Sequence, residues 1–299
     1  MRTRLQPSRR ICLDAFAMTP DQYAEDKAAR SGSSFYYAFK FLPSDRRAAI
    51  TAFYAFCREV DDVVDETSDA SLAATKLAWW RQEVAQSFGG HATHPAMKAL
   101  MPHTAAFHID AQHLLTVIDG CQMDLDQTRY LDFAGLTQYC HRVAGVVGEV
   151  ASNIFGRTQA QTLAYAHTLG LAMQLTNIIR DVGDDAQRGR IYLPMNELQQ
   201  HGVKASELLA RKAPWGYSER FDALMRFQAA RAHALYDQAF ALLPPGDRRA
   251  QRPGLMMGEI YRALLRDIER NQFQVLHQRI SMTPVRKIWI AMRTHWRAR

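Results

Sequence analysis

Two short stretches of this chain gather carboxylates at the spacing of a helix face. Asp61 and Asp65 sit four apart in "YAFCREVDDVVDE", and Asn177, Asp181 and Asp185 step by four through "QLTNIIRDVGDD". On an α-helix such residues project from one face with Cβ atoms about 5–6 Å apart. Like charges so placed cost a few tenths of a kcal/mol in water and more when partly buried, unless cations bind there. Apolar sequence precedes both clusters, "AFYAF" the first and "LGLAMQLTNII" the second, which an ordinary solvated face does not carry. Two such helices facing each other would form an oxygen-rich site suited to Mg²⁺, a hard cation that takes one or two carboxylates and completes its shell with water and phosphate oxygens. Arg58, one turn before Asp62, and Arg180, beside Asp181, have the fork geometry that grips a diphosphate. Gly183 weakens its own helix, which points to a close approach by another part of the chain or by a ligand.

Other chemistries find little support. His91, His94, His103, His108 and His113 cluster in sequence, but no HExxH or Cys/His metal spacing accompanies them. No GxGxxG, Walker A or GxSxG pattern occurs. Cys12, Cys57, Cys121 and Cys140 form no CxxC pair, which favours a reduced, cytoplasmic protein. The net charge of +7 and pI near 9.3 suit phosphorylated small molecules or anionic lipids. No nucleic-acid motif appears, and nucleic acid is not an expected partner.

The elements that must position these residues are helices. Apolar residues recur at three- and four-residue intervals over 45–66, 70–88, 109–125, 133–156, 160–182, 216–243 and 247–279. Period-2 strands are absent from the pattern. Thr19 and Pro20 read as the start of a helix, and Ser44 after Pro43 as the cap of another. The breaks "GGHATHP", "GRIYLP" and "LLPPGD" are turns too short to link domains. The expectation is one all-α domain over 18–299, preceded by a disordered extension at 1–17. No stretch reaches the length and apolarity of a membrane span. The C-terminal "IWIAMRTHWRAR" mixes Trp289 and Trp296 with arginines, as a membrane-surface contact or the basic outer face of a packed helix would.

The stretches "SGSSFYYAFKFLP", "YAFCREVDDVVD", "YCHRVAGVVGEV", "QLTNIIRDVGDDAQRGRIYLP" and "IYRALLRDIERNQFQVLHQRI" resemble the squalene/phytoene synthase family from about Ser31 to Lys287. Within it, "GRIYLP" and "RISMTPVRKIWIA" are most similar to the bacterial presqualene diphosphate synthases of the hopanoid pathway. The resemblance implies a class I terpenoid (isoprenoid) synthase helical bundle with a central cavity. It implies head-to-head condensation of two farnesyl diphosphates to presqualene diphosphate. Asp61, Asp65, Asp181, Asp185 and Asn177 would hold a Mg²⁺ cluster. Ser34, Tyr54, Arg58, Arg180 and Arg279 would touch diphosphate, and Tyr139 would sit beside the reacting carbons. NADPH is not expected as a cofactor. Peripheral contact with the inner membrane and with downstream pathway enzymes is compatible with substrate and product chemistry. Phytoene, dehydrosqualene or NADPH-dependent squalene synthesis are the alternatives within the family. A catalytically silent subunit or a basic nucleic-acid-binding helical protein is the alternative outside catalysis.

Overall fold

The computed structural model describes residues 18–30, 38–67, 69–210 and 217–297 of the chain. The 1–17 extension and Ser34 lie outside the described residues. Helices follow the apolar periodicity: α1 (Pro20–Arg30), α2 (Ser44–Glu66), α3 (Ala70–Phe88), α4 (Pro95–Thr104), α5 (Ala111–Asp126), α6 (Phe133–Cys140), α7 (Val146–Phe155), α8 (Gln161–Gln187), α9 (Met195–Gln200), α10 (Ala205–Ala210), α11 (Glu219–Leu242), α12 (Arg252–Arg270) and α13 (Pro284–Arg297). Among the described residues the only pairing outside helices is an isolated bridge between Arg129 and Ile191. The fold is an all-α helical bundle, as the periodicity predicts.

Caps explain several starts. Thr19 and Gln22 exchange side chain-to-backbone bonds at the head of α1, the reciprocal arrangement of a capping box. Asp69, Asp110, Asp132 and Ser218 cap α3, α5, α6 and α11. His94 and His113, members of the histidine cluster, serve as caps for α4 and α5. One expectation fails here. Ser44 is already helical, the cap position is Pro43, and no side chain closes that terminus. A second correction concerns 247–279, where the helix stops at Arg270. Gln272 and Phe273 then adopt left-handed backbone (φ 52° and 51°), and the Phe273 ring is fully buried. Anchoring that ring offsets the cost of two non-glycine residues in a sparsely populated region.

Between α6 and α7 the chain makes a turn of π-helix, His141–Gly145. This wider turn is the kind of irregularity that re-aims side chains near functional sites. Around it backbones come close. A Cβ on Gly170 would lie 2.6 Å from the Ala144 carbonyl oxygen, and one on Gly148 would lie 2.7 Å from that of Ala166. Glycine is required at both because two helix backbones meet there.

The core divides in two. One half gathers residues of α2, α3, α4, α5 and α7 around Phe53, Phe56, Leu77 and Leu100. The other gathers α8, α11 and α12 around Leu175, Tyr236, Phe221 and Leu265. Between the halves lies a cavity of about 470 Å³ with walls from both.

Candidate active site

The cavity runs along α8. Arg58 and Asp61 of α2, Asn177 and Arg180 of α8, and Arg279 and Lys287 line one end. Farther in, its walls are Phe53, Val117, Val147, Leu169, Met173 and Leu264. At the far end stand Ile50, Phe155, Tyr165 and Gly254. The far end falls at the turn joining antiparallel α7 and α8, so both motifs sit at the opposite, polar end.

The two carboxylate motifs meet across this polar end. Arg190, just after α8, donates to Asp65 Oδ1 at 3.3 Å and to the Val64 carbonyl at 3.4 Å, tying the second motif's exit to the first motif's helix. The arginines expected to grip diphosphate hold carboxylates in this structure. Arg58 Nη1 lies 2.6 Å from Asp61 and its Nη2 also pairs with Asp62. Arg180 Nε lies 2.7 Å from Asp181 Oδ1, which Arg279 Nε approaches at 3.1 Å. Asp62 points away, to Lys27 at 2.9 Å. Tyr54 lines the cavity with its ring edge-on to Phe39.

These pairs leave the acids undercompensated. Asp61 lines the cavity, and burial, then the Asp65 carboxylate, push it up to about 7 against the pull of Arg58. Burial, then Asp181, push Asp185 up to about 8 despite Arg188. Among the described residues Asn177 Oδ1 is buried with no hydrogen-bond partner. Orphaned oxygen and carboxylates short of positive charge are what a hard divalent cation would complete. The donor set therefore fits Mg²⁺, with Asp61, Asp65, Asn177, Asp181 and Asp185 as the available ligands. Among the described residues no three His, Cys, Asp or Glu groups converge on one point.

Tyr139 is buried in the cavity wall. Its hydroxyl donates to Asp124 Oδ2 at 3.1 Å, and Tyr192 donates to Asp124 Oδ1 at 2.6 Å. The Tyr139 and Tyr192 rings stack at 5.2 Å. Burial pushes Asp124 up to about 6, the Tyr192 hydrogen bond opposing the rise. Asp124 is electrostatically coupled to Asp61, Asp65 and Asp185, so it lies between the motifs. Sequence reasoning missed it. Its signal was register: it follows Val117 and Cys121, both cavity residues, along one face of α5. Lys287 was missed too. Burial lowers its pKa, and Arg180 and Arg279 lower it further, a group of cations suited to an anion.

Gly183 has its explanation in the chain itself. Its N–H donates to the Val275 carbonyl at 3.2 Å, and a Cβ there would lie 2.6 Å from that oxygen. The segment after α12 thus packs on the second motif and brings Arg279 to Asp181.

Comparison with known proteins agrees with this architecture. The squalene/phytoene synthase family model matches residues 28–286. A phytoene synthase of Arthrospira platensis is 35% identical over 313 residues, 99% of each chain. One of Mycobacterium tuberculosis is 36% identical over 260 residues, 86% of this chain and 84% of the relative. Among solved structures, a dehydrosqualene synthase superposes with a TM-score of 0.81 at 28% identity, covering 93% of this chain and 96% of its own. Squalene synthase HpnC from Alicyclobacillus acidocaldarius gives 0.73 at 28% identity, covering 85% and 94%. With two aspartate motifs joined to one apolar cavity and matches spanning most of its length, the chain belongs to the squalene/phytoene synthase family, whose chemistry is head-to-head condensation of prenyl diphosphates.

Proposed function

We propose that the chain condenses two farnesyl diphosphates to presqualene diphosphate. The observation that carries this reading is the likeness to two solved structures named as a dehydrosqualene synthase and a squalene synthase, beside a cavity whose length admits either prenyl chain. Asn177 and Tyr165 are twelve residues apart on α8, about 18 Å along the axis. Extended chain covers about 3.3–3.6 Å per three bonds, so three isoprene units of four bonds reach about 14 Å and four about 18–19 Å. A farnesyl chain starting near Asn177 ends short of Tyr165, whereas a geranylgeranyl chain meets it. The names of the structural relatives, a dehydrosqualene synthase and a squalene synthase, favour the farnesyl chain. The second reading, phytoene synthesis from geranylgeranyl diphosphate, is favoured by the names of the curated relatives.

In the proposed reaction the C1–O bond of one farnesyl diphosphate breaks and diphosphate departs. The 2,3 double bond of the second chain attacks that C1, and loss of one proton from the second chain closes the cyclopropane. Mg²⁺ bound at the motifs would supply charge neutralisation for the leaving group. Arg58, Arg180 and Arg279 would exchange carboxylate partners for diphosphate oxygens, with Lys287 beside them. Apolar walls exclude water from the cation. Tyr139 would turn its oxygen to the reacting carbons and take the proton while passing its own to Asp124, or the released diphosphate would take it.

The test is incubation of purified protein with farnesyl or geranylgeranyl diphosphate and Mg²⁺, with and without NADPH, followed by mass analysis. Presqualene diphosphate formed equally with and without NADPH, and lost in Asp61→Ala and Asp181→Ala, is the expected result. Coupling of geranylgeranyl diphosphate alone would assign phytoene synthesis. Squalene made only with NADPH would assign the two-step reaction, and inertness to both substrates would leave a silent subunit.

A further inference from the structure

Helix α13 has a face that the cavity does not use. Val285, Ile288, Trp289, Met292 and Trp296 are exposed, the two tryptophans at 55% and 72%. At 100° per residue these five fall within an arc of about 100°. Ile290 and Ala291, on the opposite side, are buried against the core. The result is an apolar stripe directed outward from a helix that is already packed along its inner face.

Charge accompanies the stripe on one flank. The helix contains no acidic residue. Arg293 lies over the Trp289 ring at 5.4 Å, and Arg286 pairs with Asp267 of α12. The segment leading into α13 lines the charged end of the cavity through Arg279, Ile280, Ser281 and Met282, and Lys287 joins them from the helix itself. The segment that bears the stripe therefore also borders the cavity's charged end. Tryptophan prefers the headgroup level of a bilayer, where its ring is buried and its N–H stays wet, and arginine beside it meets lipid phosphate. A stripe of this size on a water-facing helix marks a contact surface.

We propose that the outer face of α13 docks on an anionic lipid bilayer, with Trp289 and Trp296 at headgroup level and the charged end of the cavity alongside. The complement to the bilayer is a basic helix free of acids on a chain of net charge +7. Docking there would let long apolar chains pass between membrane and cavity with little exposure to water. The inference does not depend on which prenyl chain is coupled.

Flotation of the full chain with vesicles of phosphatidylcholine, with and without phosphatidylglycerol, tests it separately from turnover. Wild-type protein is expected to float with the anionic vesicles at low salt and to be released as salt rises. Trp289→Ser combined with Trp296→Ser should weaken partitioning by about tenfold or more, with unchanged circular dichroism and melting temperature because both side chains are exposed. Wild-type protein left behind by the vesicles, or a double variant that floats equally well, would overturn the proposal. Equal binding to phosphatidylcholine alone would overturn the assignment to an anionic surface. A concentration-dependent dimer abolished by the double substitution, without flotation, would give the face to a second copy of the chain instead.

Discussion

Tyr139 depends on a residue that no motif announces. Asp124 accepts hydrogen bonds from both Tyr139 and Tyr192, and so fixes where the Tyr139 oxygen points. A hydrogen bond to a charged group contributes about 1.5–3 kcal/mol, which corresponds to about 10–150-fold in rate if the bond matters chiefly in the transition state. Asp124→Asn should therefore lower kcat by that factor while KM changes little. Tyr192→Phe, which leaves the Tyr139 bond intact, should cost less. Steady-state kinetics on folded variants decides the matter. An equal rise in KM with kcat unchanged would show that Asp124 serves substrate binding instead. The arginines follow a different logic: Arg58 and Arg180 are held close to the charged end of the cavity by the acids they pair with, so little side-chain freedom would be left to lose when a diphosphate arrives.

At the scale of elements, the segment after α12 couples the C-terminal part of the chain to the second motif. Gly183, Phe273, Val275 and Arg279 act together: a buried ring anchors the turn, a backbone bond crosses to α8, and the arginine arrives at Asp181. Gly183→Ala would introduce a Cβ where the Val275 oxygen leaves 2.6 Å. Alanine favours the helix itself by about 1 kcal/mol, so α8 should persist while the segment shifts away. The expected outcome is about a tenfold or greater loss of kcat/KM, as positioning losses of this kind produce. Near-normal helicity by circular dichroism should accompany it. Retained activity would show that the segment does not contribute to the site.

For the whole molecule, the divided core makes the site possible and also leaves it poorly stabilised. Asp61 and Asp185 titrate near 7 and 8, against an ordinary 3.8. Between about pH 4 and those values the folded state binds more protons than the unfolded chain, so metal-free stability falls as pH rises through that window. Mg²⁺ needs the same groups deprotonated. The rise in melting temperature produced by Mg²⁺ with pyrophosphate should thus be larger at about pH 8.5 than at about pH 6. Equal rises in scanning fluorimetry would remove these carboxylates from the ligand set. The floor offers a second test. Among the described residues the Tyr165 hydroxyl is buried without a hydrogen-bond partner, and it packs against Gly254, where a Cβ would lie 2.7 Å away. Tyr165→Ala should open the floor and raise the ratio of geranylgeranyl to farnesyl coupling by about tenfold or more, since a pocket's discrimination is worth about 1–3 kcal/mol per methylene. An unchanged ratio would place the length gauge elsewhere.

Much of this was legible in the residues alone. Periodicity of 3.6 predicts most of the helices because burying an amphipathic face leaves its mark at every third or fourth position. Spacing of four puts Asp61 with Asp65, and Asp181 with Asp185, on shared faces in any α-helix. Gly183 announced a close approach without saying by what. Tertiary structure alone decided the rest. Val275 meets Gly183, and Tyr192 meets Asp124, across gaps in sequence of 92 and 68 residues. Arg58 and Arg180 turn to carboxylates, and α12 ends at Arg270 because Phe273 has a place in the core. Local pattern records what each helix must bury. Which helices meet, and how far a cavity runs between them, depends on side chains from distant segments filling or leaving the same space.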